Sequence, residues 1–475
     1  MEKKKNVYVR LVSLTIEGLK NVSKGTVDFS QGQGERRSSV TGIYGQNGSG
    51  KTALINALEI LKAALTGTRI PGRFTDIISV GREEAIIGYV FDVRADKENY
   101  RVFYDISLMK GQSMPFGNMG MAERTDTIPV IAGERLYYSY SDGRKTIRKT
   151  MFFDTTSGRL FGPKKTLQAF VGNDRDLADD VMLIKRTAYS ASGSFVFSAG
   201  MIDLIRKKRK SGADESLLRA ARIIETLAHY GNYELFIVTT RSYGYNGIRN
   251  FPLGLKYEKR KQSLMGEMVL PIEEPCLFPE SSFETVKKTV EDMNTVLSKI
   301  IPGLFISVAD LGQRMMQDGT RGRMLQLVSL KNGREIPLAY ESDGIKKIIC
   351  MLQLLIVTYN ESSCTVAIDE LDAGVFEYLL GEILRVIYDK GKGQLIFTSH
   401  NLRPLEVLDY PCIVFTTTDP SDRYTRIRHL KDGMNLRDFY FRDIVLGEQD
   451  HEIYDITNDA EIALAFKEAG MKDAT

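Results

Sequence analysis

Eight consecutive residues, "GQNGSGKT", have the composition of a loop that binds phosphate groups. They fit the pattern G-x-x-x-x-G-K-[ST], with an apolar segment before them and a helix-forming segment after them. In this pattern main-chain N–H groups wrap around the phosphates, the lysine reaches the β- and γ-phosphates, and the last hydroxyl binds Mg²⁺. Lys51 is therefore also a candidate catalytic residue, and Thr52 a candidate metal ligand. The residues predicted to contact a nucleotide are Gly45, Gln46, Asn47, Gly48, Ser49, Gly50, Lys51 and Thr52.

A pair of acids follows an apolar segment much later in the chain, in "TVAIDELDAG" (365–374). Asp369 at the end of a strand could hold Mg²⁺ directly or through water, and Glu370 beside it could polarise an attacking water molecule. Acid pairs at strand ends are also common as simple surface caps. The phosphate-binding pattern upstream favours the catalytic interpretation over the cap.

A histidine ends the next apolar segment, "LIFTSHN" (395–401). His400 there could contact the γ-phosphate and sense whether it is present. The alternative is a capping or buried histidine. The chain has four histidines, and the other three, His229, His429 and His451, have no comparable position and are interpreted as structural.

The turn "YESDGIKKI" (340–348) places Ser342 and Gly344 immediately before a helix-like apolar pattern. A helix N-terminus with a hydroxyl and bare N–H groups can bind an anion. The same residues can simply cap the helix. Taken by itself, the turn is better explained as a cap.

Alternating patterns predict the elements that must position these residues. Residues 7–29 read as two strands, and the alternation at 85–93 and 101–109 predicts an antiparallel hairpin. Residues 38–44 and 51–65 read as a strand and a helix around the phosphate-binding loop. From residue 335 strands and helices alternate, which predicts a parallel sheet covered on both faces.

The middle of the chain differs from both ends. Helical patterns at about 177–230 and 282–300 predict an inserted, mainly helical lobe over residues 141–334. The two flanking parts, 1–140 and 335–475, would be the halves of one α/β domain. The basic stretch "RKKRK" (206–210) reads as a solvated helix face, although nucleic-acid phosphates are a possible partner.

Bulk composition predicts a cytoplasmic protein without a membrane-spanning part. The chain has 475 residues, of which 43% are hydrophobic and 26% charged, with a net charge of +3. The most apolar run, "IICMLQLLIV" (348–357), is too short to cross a bilayer. Four dispersed cysteines without a CxxC pair predict reduced thiols. A soluble subunit docked on a separate membrane protein is not excluded by these features.

The order of the four motifs resembles that of ABC-type ATPase heads, including SMC and RecF proteins and the OLD (overcoming lysogenisation defect) family. OLD-type members often carry a signature like "ESxGxxK/R", which stands here as "ESDGIKK" (341–347). The resemblance covers about residues 7–110 and 330–418. It implies a P-loop NTPase fold of mixed α/β class with an antiparallel β subdomain. It also implies that ATP with Mg²⁺ is bound and hydrolysed.

In such heads the signature motif serves the neighbouring subunit. The resemblance therefore implies that Ser342 and Gly344 contact a γ-phosphate held by a second copy, in a head-to-tail homo-oligomer. Asp369 and Glu370 match the Walker B positions, His400 the switch histidine, and Asp372 the start of the D-loop. One departure is "GVFEY" (374–378), which stands where many OLD-type ATPases have an "LHP"-like stretch.

The tail at 435–470 resembles the ends of stand-alone OLD-like ATPases of bacterial anti-phage systems of the RloA, PARIS and Septu type. Those ATPases work with a separately encoded effector, often a nuclease. No acidic pattern of a Toprim nuclease follows His400, so nuclease activity is not expected in this chain. The alternative is a RecF-type repair or recombination ATPase that binds DNA in an ATP-dependent way.

Overall fold

The computed structural model describes residues 7–30, 39–95, 98–112, 127–141, 146–156, 160–210, 215–239, 250–259, 262–272, 274–331, 333–427, 435–446 and 458–471. His429, His451 and part of the tail resemblance lie outside these residues. Eighteen strands and eleven α-helices are formed by the described residues.

The strands are β1 (Val7–Leu19), β2 (Val22–Asp28), β3 (Ser39–Tyr44), β4 (Glu84–Ala95), β5 (Glu98–Gln112), β6 (Thr127–Ser141), β7 (Thr146–Asp154), β8 (Leu235–Val238), β9 (Asn250–Lys259), β10 (Gln262–Pro271), β11 (Cys276–Pro279), β12 (Leu304–Met315), β13 (Arg321–Lys331), β14 (Arg334–Pro337), β15 (Thr365–Ile368), β16 (Gln394–Thr398), β17 (Ile413–Thr416) and β18 (Tyr424–Thr425). The helices are α1 (Lys51–Leu65), α2 (Lys164–Val171), α3 (Arg175–Ser190), α4 (Ala199–Lys210), α5 (Glu215–Tyr233), α6 (Glu280–Ile300), α7 (Asp343–Asn360), α8 (Glu377–Lys390), α9 (Arg403–Val407), α10 (Leu436–Leu446) and α11 (Asp459–Met471).

A six-stranded central sheet has the order β18-β17-β3-β16-β15-β8. The strands from β17 to β8 pair in parallel, and the edge strand β18 runs antiparallel to β17. Strands β3, β15, β16 and β17 consist entirely of buried residues, as parallel strands covered on both faces do. The predicted parallel, covered sheet is confirmed. The loops that follow β3, β15 and β16 consequently meet at one edge of this sheet.

A second six-stranded sheet is antiparallel, with the order β2-β1-β4-β5-β6-β7. The predicted hairpin is confirmed, because Ala85 pairs with Leu108 and Val93 with Tyr100. Alternate residues of its strands point into the core, among them the fully buried Tyr89 and Tyr104. This sheet forms one wall of the core that lies against α1.

The central sheet separates two hydrophobic cores. One contains Ile43 and Ile396 of the sheet together with the antiparallel sheet and helices α1 to α5. The other contains Tyr44 and Phe397, the neighbours of those two residues in the same strands, together with α6, α7, α8 and strands β11 to β13. Successive strand residues thus enter opposite cores, which is the period of two expected of a buried strand.

The described residues of 141–334 do not form a single, mainly helical lobe, so this expectation is corrected. Helices α2 to α5 pack into the first core, β8 pairs with β15 in the central sheet, and residues 276–331 contribute β11 to β13 and α6 to the second core. The stretch predicted as helical over 177–230 is divided among α3, α4 and α5. The strand β8 is only "LFIV", and an apolar run this short directly after a helix cannot be distinguished from the helix by its periodicity.

Two bulk expectations can be compared with the described residues. None of their helices is long and apolar enough to cross a membrane. All four cysteines are free thiols, and three of them are buried.

Candidate active site

The loop between β3 and α1 has a backbone that glycine makes possible. Gly45 and Gly50 have φ values of +150° and +104°, in the region that other residues rarely adopt. A Cβ atom on Gly45 would also lie 1.8 Å from Oγ1 of Thr416. The Nζ atom of Lys51 donates hydrogen bonds to the main-chain oxygens of Gly45 at 2.6 Å and Gln46 at 2.9 Å. Phosphate oxygens would offer the same donor a charged acceptor.

Residues from both ends of the chain support this loop. The Tyr424 hydroxyl donates to the main-chain oxygen of Gly50 at 2.9 Å, and the hydroxyls of Ser49 and Thr416 are hydrogen-bonded to each other. The Asn21 amide, in the turn between β1 and β2, donates to the main-chain oxygen of Gly48. The loop is therefore held in shape by three separate segments.

The acid pair lies directly after β15. Asp369 is buried and its Oδ1 accepts a hydrogen bond from the Thr398 hydroxyl at 2.6 Å, while the Glu370 N–H donates to that same hydroxyl oxygen at 2.7 Å. Burial raises the pKa of Asp369, and the Thr398 hydrogen bond and the charge of Lys20 oppose that rise. Glu370 is exposed and has a left-handed backbone, with φ of +51°.

His400 lies two residues after the end of β16, the strand that pairs with both β15 and β3. The main-chain N–H groups of His400 and Asn401 donate to Oδ2 of Asp372, at 3.1 Å and 3.0 Å. Burial and the charge of Lys51 lower the pKa of His400 below its usual value of 6.5. A lowered pKa favours the neutral imidazole at pH 7, which can donate one hydrogen bond and accept another.

A cavity of about 350 Å³ joins these features. It brings together five predicted residues from three loops, namely Lys51, Thr52, Asp369, Glu370 and His400. Asn47, Gly48 and Gly50 also line it, whereas Gly45, Gln46 and Ser49 belong to the loop without lining the cavity. Burial lowers the pKa of Lys51, and the nearby acids Asp369 and Glu370 oppose that change.

The cavity has further lining residues that sequence patterns did not indicate: Lys20, Asn21, Ala53 and Thr398. Lys20 occupies a two-residue turn between β1 and β2 with φ of +52°, and its charge acts on Asp369. In the sequence it is one lysine in a hairpin turn, which is indistinguishable from an ordinary solvated turn residue. For Thr398 the only sequence signal is its position two residues before His400, in "T-S-H".

The turn at 340–344 is separate from this cavity. Ser342 is exposed and caps α7, since its hydroxyl accepts from the Ile345 N–H at 3.4 Å. Neither Ser342 nor Gly344 is among the described residues that line the cavity of their own chain. A Cβ atom on Gly344 would lie 2.3 Å from the main-chain oxygen of Gly374, so close backbone packing requires glycine here. The role of this turn towards a second copy stays a prediction.

The basic stretch "RKKRK" and His229 both contact neighbouring side chains. Arg206 and Arg209 of "RKKRK" form ion pairs with Glu225 of α5, at 3.4 Å and 2.6 Å, which fits a solvated helix face. The rings of His229 and Tyr233 are in contact, with centroids 4.9 Å apart and planes tilted by 51°.

A glycine loop between a parallel strand and a helix, with an acid pair at the end of a nearby parallel strand, defines a P-loop ATPase fold. The second, antiparallel sheet corresponds to the antiparallel β subdomain expected from the resemblance to ABC-type heads. A model of the AAA domain matches residues 13–169, which include the loop.

Comparisons with single proteins give one partial sequence match and distant structural matches. The chain is 40% identical over 79 residues to the DNA replication and repair protein RecF of Deinococcus radiodurans, a match that spans 17% of this chain and 19% of that protein. Among solved structures, the Smc head domain of Pyrococcus furiosus covers 88% of this chain and 96% of its own, at 13% identity and a TM-score of 0.39. The SMC head domain of Thermotoga maritima covers 88% of this chain and 100% of its own, at 15% identity and a TM-score of 0.36.

Thr398 provides a test of the geometry of the acid pair. Thr398→Val keeps the volume of the side chain but removes the hydroxyl that joins Asp369 to the Glu370 N–H. We expect the free energy of unfolding to fall by about 1–3 kcal/mol, because a buried charged acceptor and an N–H group lose their partner. Chemical denaturation measures this change.

Thr365→Val is the matched control, because its buried hydroxyl donates to the neutral Gln394 side chain in the same sheet. Only Thr398→Val should also weaken the Mg²⁺ dependence of nucleotide binding. An equal effect of both variants on the Mg²⁺ dependence would contradict the prediction that Asp369 is a Mg²⁺ ligand.

Proposed function

We propose that this chain binds ATP with Mg²⁺ in the cavity and hydrolyses it to ADP and phosphate. The observation that carries the proposal is the convergence of Lys51, Glu370 and His400 on one cavity beside the phosphate-binding loop. Lys51 would neutralise the β- and γ-phosphates. The exposed carboxylate of Glu370 would polarise the attacking water, and the neutral imidazole of His400 would contact the γ-phosphate.

Thr52 and Asp369 would hold the Mg²⁺ ion. A hydroxyl and a carboxylate oxygen suit Mg²⁺, which commonly takes few protein ligands and completes its shell with phosphate oxygens and water. Thr52 and Asp369 line the same cavity in the described structure. The bound ion would neutralise part of the phosphate charge.

A second copy of the chain would complete each nucleotide site in a head-to-tail arrangement. The signature turn with Ser342 and Gly344 lies outside its own cavity, as a turn that serves a neighbour would. Large exposed aromatic side chains flank this turn and the loop after the acid pair: Tyr340 is 78% exposed, Phe376 71% and Tyr378 57%. Exposed aromatics of this kind are typical of protein interfaces.

The wider role that we propose is regulation of a separately encoded effector, such as a nuclease, in bacterial anti-phage defence. This part rests on the OLD-like form of "ESDGIKK" and on the resemblance of the tail. ATP-driven closing and opening of the paired heads would release or hold the effector. Stable co-purification with the product of an adjacent gene, in the absence of DNA, is the expected result.

Two substitutions separate binding from hydrolysis. We expect Lys51→Ala to weaken ATP binding by at least about tenfold, because the cation facing the phosphates is lost. Glu370→Gln should keep ATP binding but lower turnover by roughly 10²–10⁴-fold, the usual contribution of a general base. Glu382→Gln, an exposed acid of α8, is the control and should behave as wild type. Unchanged turnover in both site variants would disprove the site.

Ser342→Arg tests the role of the signature turn in closure. We expect this variant to bind ATP at the P-loop with nearly normal affinity but to lose ATP-dependent dimerisation, because the large side chain would obstruct the neighbour's phosphate. Analytical ultracentrifugation with ATP measures the association.

Asp174→Arg controls for the loss of a helix cap, since Asp174 caps α3 by accepting from the Leu177 N–H at 3.0 Å. This control should dimerise normally even if it loses about 0.5–2 kcal/mol of stability. Normal closure and hydrolysis by Ser342→Arg would mean that the turn is only a cap.

A second candidate function is a DNA repair or recombination ATPase. The partial match to a RecF protein favours it, although that match spans 19% of the relative. In this case we expect ATP-dependent binding of duplex DNA whose affinity falls steeply with salt, because phosphate contacts release counterions. Titration of fluorescent DNA at several salt concentrations measures it. Absence of ATP-dependent binding would count against this function.

A further inference from the structure

Lys347 connects the signature helix to the acid pair of its own chain. It lies in the first turn of α7, three residues after Gly344, and is 4% exposed. Its Nζ atom donates a hydrogen bond to the main-chain oxygen of Glu370 at 2.5 Å. Burial lowers the pKa of Lys347 to about 8, while Asp372, Glu370 and Asp369 oppose that change. Three acids of the loop after β15 therefore act electrostatically on this ammonium group.

The bond from Lys347 acts on an unusual piece of backbone. Glu370 has φ of +51°, a conformation that residues other than glycine keep only when their surroundings hold them there. Its N–H is held by the Thr398 hydroxyl, and its oxygen by Lys347. These two bonds hold the main chain of Glu370, a residue that lines the cavity.

A second contact joins the same two segments. The backbone of Gly344 packs against the main-chain oxygen of Gly374, with no space for a Cβ atom between them. The first turn of α7 and the loop at 369–374 are thus connected at both ends, by Gly344 with Gly374 and by Lys347 with Glu370. A displacement of one segment would therefore move the other, because closely packed backbone has low compressibility.

We propose that Lys347 is a positioning residue that couples the two nucleotide sites of a paired assembly. This coupling rests on the proposed function. When the signature turn of one copy engages the ATP of its neighbour, the Lys347 of the first copy aligns Glu370 in the nucleotide site of the first copy. Hydrolysis in each site then depends on nucleotide in the other. Such a connection makes turnover respond to closure of the pair and not to ATP binding alone.

The direct test measures ATP affinity, ATP-dependent dimerisation and turnover separately. We expect Lys347→Met to lower kcat by about tenfold or more, in line with the loss of a hydrogen bond from a charged group. ATP affinity and dimerisation should stay within about twofold of wild type, because neither the P-loop nor the exposed face of the turn is changed. Lys347→Arg should recover part of the lost kcat, because it keeps a cation able to donate to the carbonyl.

Lys346→Met is the matched control. Lys346 is the neighbouring buried lysine, and its ion pair is with Asp343 of its own helix, at 2.8 Å. This control loses a buried ammonium group in the same helical turn but no bond to Glu370. An equal fall in kcat for Lys346→Met and Lys347→Met would overturn the proposal.

Mixed assemblies distinguish coupling from a merely structural role. In a mixture with a large excess of Lys51→Ala copies, each wild-type copy pairs with a Lys51→Ala copy. The P-loop of the wild-type copy then holds ATP, whereas its signature turn faces the empty P-loop of the variant copy. We expect the turnover of the wild-type copy to fall about as far as that of Lys347→Met, and adding Lys347→Met to this copy should cause no further fall. Two losses that multiply would mean that Lys347 acts independently of the second site.

The wild-type protein in the same series separates the two proposals. If it neither binds nor hydrolyses ATP, the proposed function fails, and the coupling fails with it. If it hydrolyses ATP and Lys347→Met matches it in kcat, only the coupling is overturned.

Discussion

The parallel pairing of β3 with β16, and of β16 with β15, is the constraint on which the candidate site depends. These strands lie next to one another in space although they come from distant parts of the chain. Their common direction carries the phosphate-binding loop, the acid pair and His400 to the same edge of the sheet. The two cores on either side of the sheet hold this arrangement, and every side chain of β3, β15 and β16 is buried. A shift in the register of β16 would separate Thr398 from both members of the acid pair.

The charges at this edge are close to balance. Lys51 and Lys347 are both buried beside Asp369, Glu370 and Asp372, and burial lowers the pKa of both lysines. Burying a charge is costly unless it is paired or hydrogen-bonded, and each of these lysines donates to main-chain oxygens. The arrangement leaves Lys51 available to a triphosphate, whereas Lys347 lies on the side of the acid pair that faces the signature helix. Under the proposed function, Lys51 would serve the bound nucleotide, and Lys347 would connect the acid pair to the turn that faces the neighbouring copy.

Sequence patterns predicted those parts of the fold in which local signals coincide with tertiary structure. The strand and helix around the loop at 45–52, and the hairpin of β4 and β5, were confirmed. In both places turn residues separate segments whose hydrophobic residues recur with a clear period. The strand β8 was missed because four apolar residues after a helix have no period of their own. Lys20, Thr398 and Tyr424 were missed because their roles come from contacts between distant segments, which a single sequence does not reveal. For the same reason the bond from Lys347 to Glu370 could not be inferred from "ESDGIKK".

In the proposed assembly each nucleotide site is shared between two copies, and mixed association tests this sharing most directly. Two variants carry Glu370→Gln to prevent hydrolysis, one with Lys51→Ala added and the other with Ser342→Arg added. Sedimentation with ATP should show each variant alone as single copies, since no pairing of identical copies combines a filled P-loop with an intact signature turn. An equal mixture should form pairs, in which the P-loop of one copy meets the turn of the other. A mixture that stays as single copies, or either variant pairing by itself, would contradict the account.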